Sequence, residues 1–374
     1  MFLLPVPLIN PYNVYRSLKR PWSRFDSDNN SSIFSIRKYG PSLAFCSPLL
    51  IVGLISNTLL AQEADSLQIK SYVDKIILKL NLDTQNEEFL IFSDQQEQIA
   101  LSTNNSLRLD LSLDYEFLGF SIGFAPNFFN SNKDDARKGS SELTDIGFRF
   151  FLGRWTQELT YQSNEGFYVE NTADFIADWN ANSDPYIQFP YLKRTYYGGS
   201  TAYVLNDRFS LRNIVYNTEW QLKSAGSFVP TARYGYRRIS ATLNQTREVE
   251  NNFELDLIAA YYYTWVIHAN WFIAPQLSPG IGIRFSNTTQ ENTTARERDT
   301  RYPLILDGGL QLGYSSERFI AGGLLNFQSI YTKTGSGSSV INDQVFARFF
   351  VGIRLDPPEF IAKQARRINE KFGL

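Results

Sequence analysis

The chain alternates regularly between apolar and polar or small residues over positions 107–126. A first run carries apolar side chains at every second position, at Leu107, Leu109, Leu111, Leu113 and Tyr115. After a change of phase at Phe117, a second run does the same at Leu118, Phe120, Ile122 and Phe124. A period of two places the two sets of side chains on opposite faces of a β-strand. The pattern therefore predicts a β-hairpin that turns at Glu116 and Phe117 and has one continuous apolar face.

The same alternation recurs along most of the chain, in segments of a length typical of strands. Besides the two strands of the hairpin, predicted strands cover 71–83, 146–153, 156–169, 196–205, 209–222, 253–265, 273–285, 304–313, 319–327 and 345–355. This makes about twelve strands, with about ten or fourteen as the neighbouring alternatives. A sheet that closes on itself leaves no strand edge free. The fold class that we predict is all-β, an antiparallel transmembrane β-barrel.

The predicted connections alternate between short and long. Short turns are expected near positions 116, 154, 206, 267 and 315, and long polar segments near 130, 180, 290 and 337. Outer-membrane barrels have short periplasmic turns and long outer loops, so the long segments are expected to face outward. With a two-residue turn at Asn206 and Asp207 and a returning strand at 209–222, this parity requires 223–251 to be one outer excursion. Tyr234 to Leu243 resembles a strand in its pattern and could form a hairpin that stands above the membrane.

A secretory signal peptide is predicted near the start of the chain. Arg37 and Lys38 precede an apolar run over 44–55, and Ala61 provides a small residue for cleavage. A buried core helix is the alternative, but the basic start and the small residue at the end fit export better. We divide the chain into an N-terminal extension with a cleaved signal peptide (1–61), an N-terminal strand and polar segment (62–106), the β-barrel (107–356) and a short amphipathic C-terminal helix (357–374).

Composition and charge narrow the functional classes. The 374 residues are 43% hydrophobic and 15% aromatic, with a formal net charge of −2. Without residues 1–61 the chain has 30 basic and 36 acidic residues, a net charge of −6, which argues against nucleic acid as a partner. The same part has no cysteine, which excludes disulfides, thiolate nucleophiles and cysteine metal sites. No stretch after residue 62 is long and apolar enough to predict a spanning helix.

No catalytic, cofactor or metal site is predicted. His268 is the single histidine, and no serine lies close enough in the sequence to suggest a hydrolase triad with it and Asn270. We interpret His268 as a turn residue at the membrane boundary. The oxygen-rich segment 130–135 matches no rigid calcium loop. The tyrosines at 261–263 and Trp265 are expected to belong to an interfacial aromatic girdle.

Charged residues alternate with the apolar stripes and are therefore expected to face the lumen. The candidate lumen charges are Arg108, Asp110, Asp114, Arg149, Glu158, Asp256, Asp307, Arg348 and Arg354. Paired carboxylates could carry out acid–base chemistry. Mixed signs in a narrow barrel more often form a network of ion pairs across the lumen, and this is the interpretation that we favour.

Four segments together resemble the domain-of-unknown-function family numbered 4421. They are Leu118-Gly119-Phe120, Asn206-Asp207-Arg208-Phe209-Ser210, the stretch from Asn217 to Phe228, and Gly352-Ile353-Arg354-Leu355-Asp356-Pro357-Pro358. The resemblance covers roughly 70–358 and implies an exported protein of a Gram-negative bacterium, without implying an activity. It also points to a candidate polar motif made of Glu219, Gln221, Lys223, Ser224, Gly226 and Ser227.

These patterns predict a non-enzymatic outer-membrane barrel, which would serve as a narrow pore, as a carrier of a small or lipidic solute, or as a structural protein. One alternative is an outer-membrane lipid-modifying enzyme, and another is a secreted soluble β-sandwich or ligand-binding barrel. The expected partners are outer-membrane lipid, the barrel-assembly machinery during biogenesis and a solute that the sequence does not identify. No cofactor is expected. Extraction by detergent alone would exclude the soluble alternative.

Overall fold

The computed structural model describes residues 68–84, 88–92, 98–243, 246–268, 270–291, 296–333 and 339–372. The predicted signal peptide and its cleavage site at Ala61 lie outside these described residues. The strands are β1 (Ile69–Ser71), β2 (Ile76–Asp83), β3 (Glu88–Phe92), β4 (Gln98–Ser102), β5 (Arg108–Tyr115), β6 (Leu118–Phe124), β7 (Glu142–Leu152), β8 (Trp155–Val169), β9 (Gln188–Tyr203), β10 (Glu219–Gln221), β11 (Ala225–Leu243), β12 (Thr246–His268), β13 (Trp271–Gln290), β14 (Arg296–Arg301), β15 (Leu304–Ser315), β16 (Phe319–Lys333) and β17 (Ser339–Leu355). The α-helices are α1 (Asp135–Lys138), α2 (Leu211–Val215) and α3 (Glu359–Phe372). No helix in this described part is long and apolar enough to cross a membrane.

Twelve of the strands form the wall of a closed antiparallel barrel. In order around the wall they are β2, β5, β6, β7, β8, β9, β11, β12, β13, β15, β16 and β17. The pairing of β17 with β2, from Arg348 opposite Asp83 to Leu355 opposite Ile76, closes the sheet and removes its free edges. The predicted transmembrane barrel of about twelve strands with a short C-terminal helix is therefore confirmed.

Apolar side chains cover the outside of the wall, and polar side chains face the lumen. On β5 the side chain of Leu111 is 49% exposed, whereas that of its neighbour Ser112 is 1% exposed. On β12 the buried Asp256 likewise lies between the exposed Leu255 and Leu257 in the sequence. So large an exposed apolar surface is unfavourable in water, but the hydrocarbon of a bilayer accommodates it. The alternation that predicts the strands therefore marks the lipid-facing side.

Aromatic residues collect on the outside of the wall close to one row of turns. Trp155 starts β8, Trp271 starts β13 and Trp265 lies near the end of β12, and all three side chains are exposed. The ring of Trp155 lies 4.7 Å from that of Tyr203, between centroids. Such a belt is typical of a membrane–water interface. The prediction that the whole run 261–263 belongs to it is wrong for Tyr262, which faces the lumen and packs on a core cluster.

The predicted strand at 209–222 is wrong. After β9 the chain turns at Asn206, whose carbonyl oxygen accepts a hydrogen bond from the Phe209 amide at 3.2 Å. It then enters α2, because the Ser210 hydroxyl oxygen accepts a hydrogen bond from the Asn213 amide at 2.9 Å and caps the helix. Asn217, with a φ of 61°, ends the helical region and reverses the chain. These local polar bonds override the period of two.

The expected single excursion over 223–251 is also wrong. This range contains all of β11 and the first residues of β12, and the two strands pair along their length, beginning with Leu243 opposite Thr246. With 19 and 23 residues, these strands are longer than the roughly ten that a bilayer requires. Their outer parts therefore project into water, and the outward positions Arg238, Ser240 and Thr242 have no need to be apolar. The strand count is right, but β11 replaces 209–222 in the wall.

The wall begins at Ile76, so the expected start of the barrel at residue 107 is also corrected. The segment that follows β2 forms the hairpin β3–β4, which extends the outer end of β8 through Leu101 opposite Val169. An apolar cluster joins this hairpin and the connection 170–187 to inward-facing residues of the wall. Its members include Ile99, Leu101, Phe167, Val169, Ile187 and Leu192, with Phe175, Ile176, Ile239 and Ala241 packed against them. We call this region the outer cap.

Candidate functional site

The connection 204–224 between β9 and β11 turns into the lumen, and we call it the plug. Its apolar side chains pack on one side of the wall, where Phe209, Leu211, Ile214 and Trp220 meet Ala202, Val229, Ile258, Ala260, Phe272 and Ala274. The rings of Trp220 and Phe272 lie edge to face with centroids 5.5 Å apart. Burial of these apolar groups holds the plug against β9, β11, β12 and β13.

Polar contacts hold the plug against the opposite side of the wall. The ammonium group of Lys79 on β2 donates to the carbonyl oxygen of Val215 and to Oδ1 of Asn217, both at 3.2 Å. The Arg354 guanidinium on β17 donates to the carbonyl oxygen of Asn217 at 2.9 Å. Because β2 and β17 lie across the barrel from β9 and β11, the plug spans the whole width of the lumen.

Tyr216 adds contacts between the plug and two further wall strands, β7 and β8. Its hydroxyl donates to the Glu158 carboxylate on β8 at 2.9 Å, and its ring meets Phe151 on β7 at 4.5 Å between centroids. Burial, with the negative charge of Glu158, raises the pKa of Tyr216 well above its ordinary value. The phenol is therefore a neutral hydrogen-bond donor at any physiological pH.

Gln221 is the polar centre of the plug. Its side chain is fully buried, and its Oε1 accepts a hydrogen bond from the Ser210 amide at 2.8 Å. Its Nε2 donates to the carbonyl oxygens of Arg208 at 2.8 Å and Lys223 at 2.9 Å. The Gln221 backbone amide donates to Oδ1 of Asn213 at 3.3 Å. One side chain thus ties the beginning of the plug to its end.

The N-terminal segment is joined to the plug. β1 pairs with β10 as a two-stranded antiparallel sheet, from Ile69 opposite Gln221 to Ser71 opposite Glu219. Flanking backbone bonds extend this pairing, because the Tyr72 amide donates to Thr218 at 3.0 Å. The plug is therefore bound by β1 and its flanking residues as well as by the wall.

The residues of the candidate polar motif do not converge on one site. Glu219 and Gln221 lie in the plug, where the Ser210 hydroxyl donates to Glu219 at 2.6 Å. The other members lie where the plug meets β11: the Ser224 hydroxyl accepts from the Val266 amide, the Ser227 hydroxyl accepts from the Asn206 amide, and the Gly226 carbonyl accepts from the Asn206 side chain. These members of the motif therefore fasten the plug where it joins the wall.

All nine candidate lumen charges lie on the inner face of the wall, and six of them form ion pairs, mainly with charged wall residues outside the predicted set. One group contains Arg108–Asp145 at 2.7 Å, Arg149–Asp114 at 3.0 Å and Arg348–Asp83 at 2.6 Å. A second group contains Arg233–Asp307 at 3.0 Å, Arg237–Glu254 at 2.8 Å and Arg284–Asp256 at 2.6 Å. Asp110 accepts from Asn81 at 2.5 Å, while Glu158 and Arg354 hold the plug.

Five of these pairs join strands that are neighbours or next neighbours in the wall, whereas Arg233 on β11 reaches Asp307 on β15 past β12 and β13. The expected network across the lumen is therefore corrected to ion pairs that mostly follow the wall. Asp114 on β5 reaches Arg149 on β7 over Gly119 of the strand between them. A Cβ at Gly119 would lie 2.2 Å from Asp114 Oδ1 and 2.7 Å from Arg149 Nε. Gly282 makes the same room for Asp256, whose Oδ1 would be 2.3 Å from an added Cβ. The glycines thus let charged side chains lie flat against the wall.

Two further sequence candidates lie at a strand end and in a loop. His268 is exposed at the end of β12, opposite Trp271. In segment 130–135 the Asn132 side chain donates to the carbonyl oxygens of Leu107 at 2.8 Å and Pro126 at 3.1 Å, and so fastens a loop. Among the described residues, no three His, Cys, Asp or Glu side chains are grouped so that they could hold a metal ion.

Sequence reasoning missed Lys79 and Tyr216 as residues that seat the plug. Lys79 lies on a predicted strand, on the lumen side, but its partners Val215 and Asn217 were expected in a wall strand. The signal that could have found the plug is the helix cap: Ser210 precedes Leu211, Ile214 and Val215 at helical spacing.

Solved structures similar to this chain include several outer-membrane proteins. OmpT of Vibrio cholerae, folded in vitro, is 9% identical, with a TM-score of 0.30 over 79% of this chain and 99% of that chain. The β domain of the Bordetella autotransporter BrkA is 8% identical, with a TM-score of 0.31 over 75% of this chain and 98% of that chain. The ferric yersiniabactin uptake receptor FyuA from Yersinia pestis is 11% identical, with a TM-score of 0.25 over 77% of this chain and 44% of that chain. At these scores the likenesses carry no conclusion about this chain.

The comparison with curated proteins finds no match. A family model described as Domain of unknown function (DUF4421) matches residues 63–354, a range that takes in the plug and nearly the whole barrel wall. The resemblance drawn from the four sequence segments is thereby confirmed. The chain belongs to the DUF4421 family.

Proposed function

We propose that the protein is a non-enzymatic outer-membrane conduit for small polar solutes, closed at rest by its plug. The observation that carries the proposal is that residues 204–224 span the lumen and are bound to the wall on both sides. Apolar contacts hold the plug to β9, β11, β12 and β13, and hydrogen bonds hold it to β2, β8 and β17. A polar lumen closed by a separate segment suits controlled passage better than a permanently open pore.

The outer membrane is the compartment that this surface fits. A closed barrel satisfies every wall hydrogen bond within the sheet, which is the condition for crossing hydrocarbon with strands. The outside carries an apolar belt bordered by exposed tryptophans, as the barrels of bacterial outer membranes do. Lipid is then the direct partner of the outer face, and assembly into the membrane would require the barrel-assembly machinery.

The solute class follows from the charges of the wall. Arginine and carboxylate side chains are both present, and they are paired with each other at 2.6–3.0 Å. Paired charges produce little net field, so the wall would not select strongly for ions of one sign. The glutamine side chains at 162, 276 and 328 add hydrogen-bonding groups on the same face. Small neutral or zwitterionic solutes are the class that such a wall accommodates.

The ends of the plug lie side by side, which permits a clean test. The Asn206 side chain donates to the Gly226 carbonyl oxygen at 2.8 Å, so a Gly-Gly turn in place of 207–224 can join β9 to β11. A variant that lacks 357–374 loses as many residues as the turn replaces and leaves the plug unchanged. Both variants and the intact protein would be placed in liposomes suspended in isosmotic glycine or arabinose.

We expect rapid swelling only with the variant that lacks 207–224, because only there is the lumen no longer spanned. The intact protein and the variant without 357–374 should swell as slowly as liposomes without protein. Equal swelling of the intact protein and the plug-deleted variant would contradict closure by the plug. No swelling with any variant would contradict a conduit and favour a structural role.

A further inference from the structure

Helix α3 is amphipathic, and the rest of the protein covers only part of its apolar side chains. Its residues Ile361, Ala365 and Ile368 recur at helical spacing on one face, and Lys363, Arg366 and Arg367 lie on the rest of its surface. Ala365 is buried, but Ile368 is 39% exposed and Phe360 is 70% exposed. A helix folded into the lumen would have these side chains hidden, so α3 does not close the lumen.

The helix begins at the edge of the lipid-facing belt. β17 ends at the outward-facing Leu355, and the Asp356 carboxylate next to it accepts a hydrogen bond from Lys75 at 2.5 Å. The Pro358 carbonyl oxygen then accepts the Ile361 amide at 2.9 Å and starts the helix. Farther along, Arg366 comes near Tyr115, the last, outward-facing residue of β5. The helix thus starts at the rim where the wall leaves the hydrocarbon.

The charge of the helix indicates what lies against it. Between residues 359 and 372 there are four basic and two acidic residues, a net charge of +2, although the whole chain is acidic. Lys363, Arg366 and Arg367 are exposed. A helix that combines an apolar side with exposed cations lies in the headgroup layer of a bilayer, where anionic lipids attract the cations.

We propose that α3 is an interfacial anchor that lies in the periplasmic leaflet and binds anionic phospholipid headgroups through Lys363, Arg366 and Arg367. The exposed Phe360 and Ile368 insert beside the acyl chains, next to the lipid-facing ends of β17 and β5. This inference rests on the membrane-spanning fold and does not depend on what passes through the lumen. The test below therefore succeeds or fails separately from the swelling experiment.

The test uses the full chain in liposomes, with Cys46→Ser and with Ile368→Cys carrying an environment-sensitive fluorophore. The liposomes contain phosphatidylcholine alone or an equal mixture with phosphatidylglycerol, and each is prepared with and without brominated acyl chains. Brominated lipid quenches a label in the bilayer, whereas iodide quenches a label in water. Electrophoretic migration before and after heating reports whether each barrel has folded.

We expect quenching by brominated lipid, stronger in the mixture with phosphatidylglycerol. Arg366→Gln with Arg367→Gln should lower the equilibrium constant for binding of α3 to the bilayer by about fivefold for each cation removed, and only in the anionic mixture. Arg296→Gln with Arg298→Gln makes the same change of charge on exposed residues of β14 and should have no effect. Phe360→Ser should reduce the quenching by brominated lipid in both mixtures.

Two results would overturn the proposal. Strong quenching by iodide without quenching by brominated lipid would place α3 in water. Protection from both quenchers would mean that protein covers this face, either the barrel itself or a second copy of the chain.

Discussion

Replacing Gln221 by leucine is expected to unseat the plug while the barrel wall stays folded. The leucine would remove the present partner of the buried Ser210 amide and of the part-buried carbonyl oxygens of Arg208 and Lys223. Each unsatisfied buried group costs about 1–3 kcal/mol. A total of about 3 kcal/mol corresponds to a roughly hundredfold larger open population of the plug.

Hydrogen exchange measures this effect locally. In Gln221→Leu the amides of Tyr72, Ser210 and Leu222 should exchange about a hundredfold faster, because all three are bonded within the plug or to it. Amides of the wall strands should keep their rates. Ser224→Ala is the matched control: it removes one hydrogen bond, to the exposed Val266 amide, and should cost less than about 1.5 kcal/mol. Unchanged exchange in Gln221→Leu would show that Gln221 does not seat the plug.

Leu111→Arg is expected to destabilise the barrel in a bilayer by about 2–4 kcal/mol, because it places a charge near the middle of the hydrocarbon. Leu111 faces outward, is 49% exposed, and pairs with the lipid-facing Ile122 and Leu80 of the adjacent strands. The free energy of unfolding would be measured by denaturant titration of protein folded into lipid vesicles.

Tyr191→Arg is the matched control for Leu111→Arg. Tyr191 also points outward, but it lies beside the exposed ion pair of Lys193 and Glu165, at 3.0 Å, and therefore above the hydrocarbon. The same new charge should cost no more than about 1 kcal/mol there. Equal costs at positions 111 and 191 would contradict the assignment of the lipid-facing belt.

The wall was predictable because one physical rule acts along every strand. Lipid requires apolar side chains at outward positions. The alternation of Leu109, Leu111 and Leu113 therefore indicates a strand, the face of it that meets lipid and its position within the hydrocarbon. The same rule fails where a strand leaves the membrane. Around Arg238 and Ser240 the outward face of β11 meets water and not lipid, so its outward residues are polar and the sequence no longer distinguishes a wall strand from a loop.

The plug could not be predicted from a period of two. Phe209 and Leu211 alternate with Ser210 and Arg212 as they would in a strand, and only the cap formed by Ser210 turns the chain into a helix. Its contacts are also long-range: Lys79 lies more than a hundred residues from Asn217 in the chain. A local pattern carries no information about such pairs.

The candidate site was predicted only in part, for a related reason. The inward placement of Asp114 and Arg149 follows from the alternation, but the direction of their ion pair depends on Gly119 of a third strand. The resemblance to the family drew attention to Gln221 and Ser227 without indicating a role. Their role as fasteners of the plug is visible only once the connection 204–224 is seen to enter the lumen.

Conductance in a planar bilayer tests the closed, plugged barrel most directly. The intact protein should insert without steady current, and the variant with a Gly-Gly turn in place of 207–224 should produce steps of uniform size. The ion pairs that lie flat along the wall should leave those open steps with little preference between cations and anions. Steady current through the intact protein, equal to that of the variant, would contradict the account, and so would a silent variant whose barrel is shown to be folded.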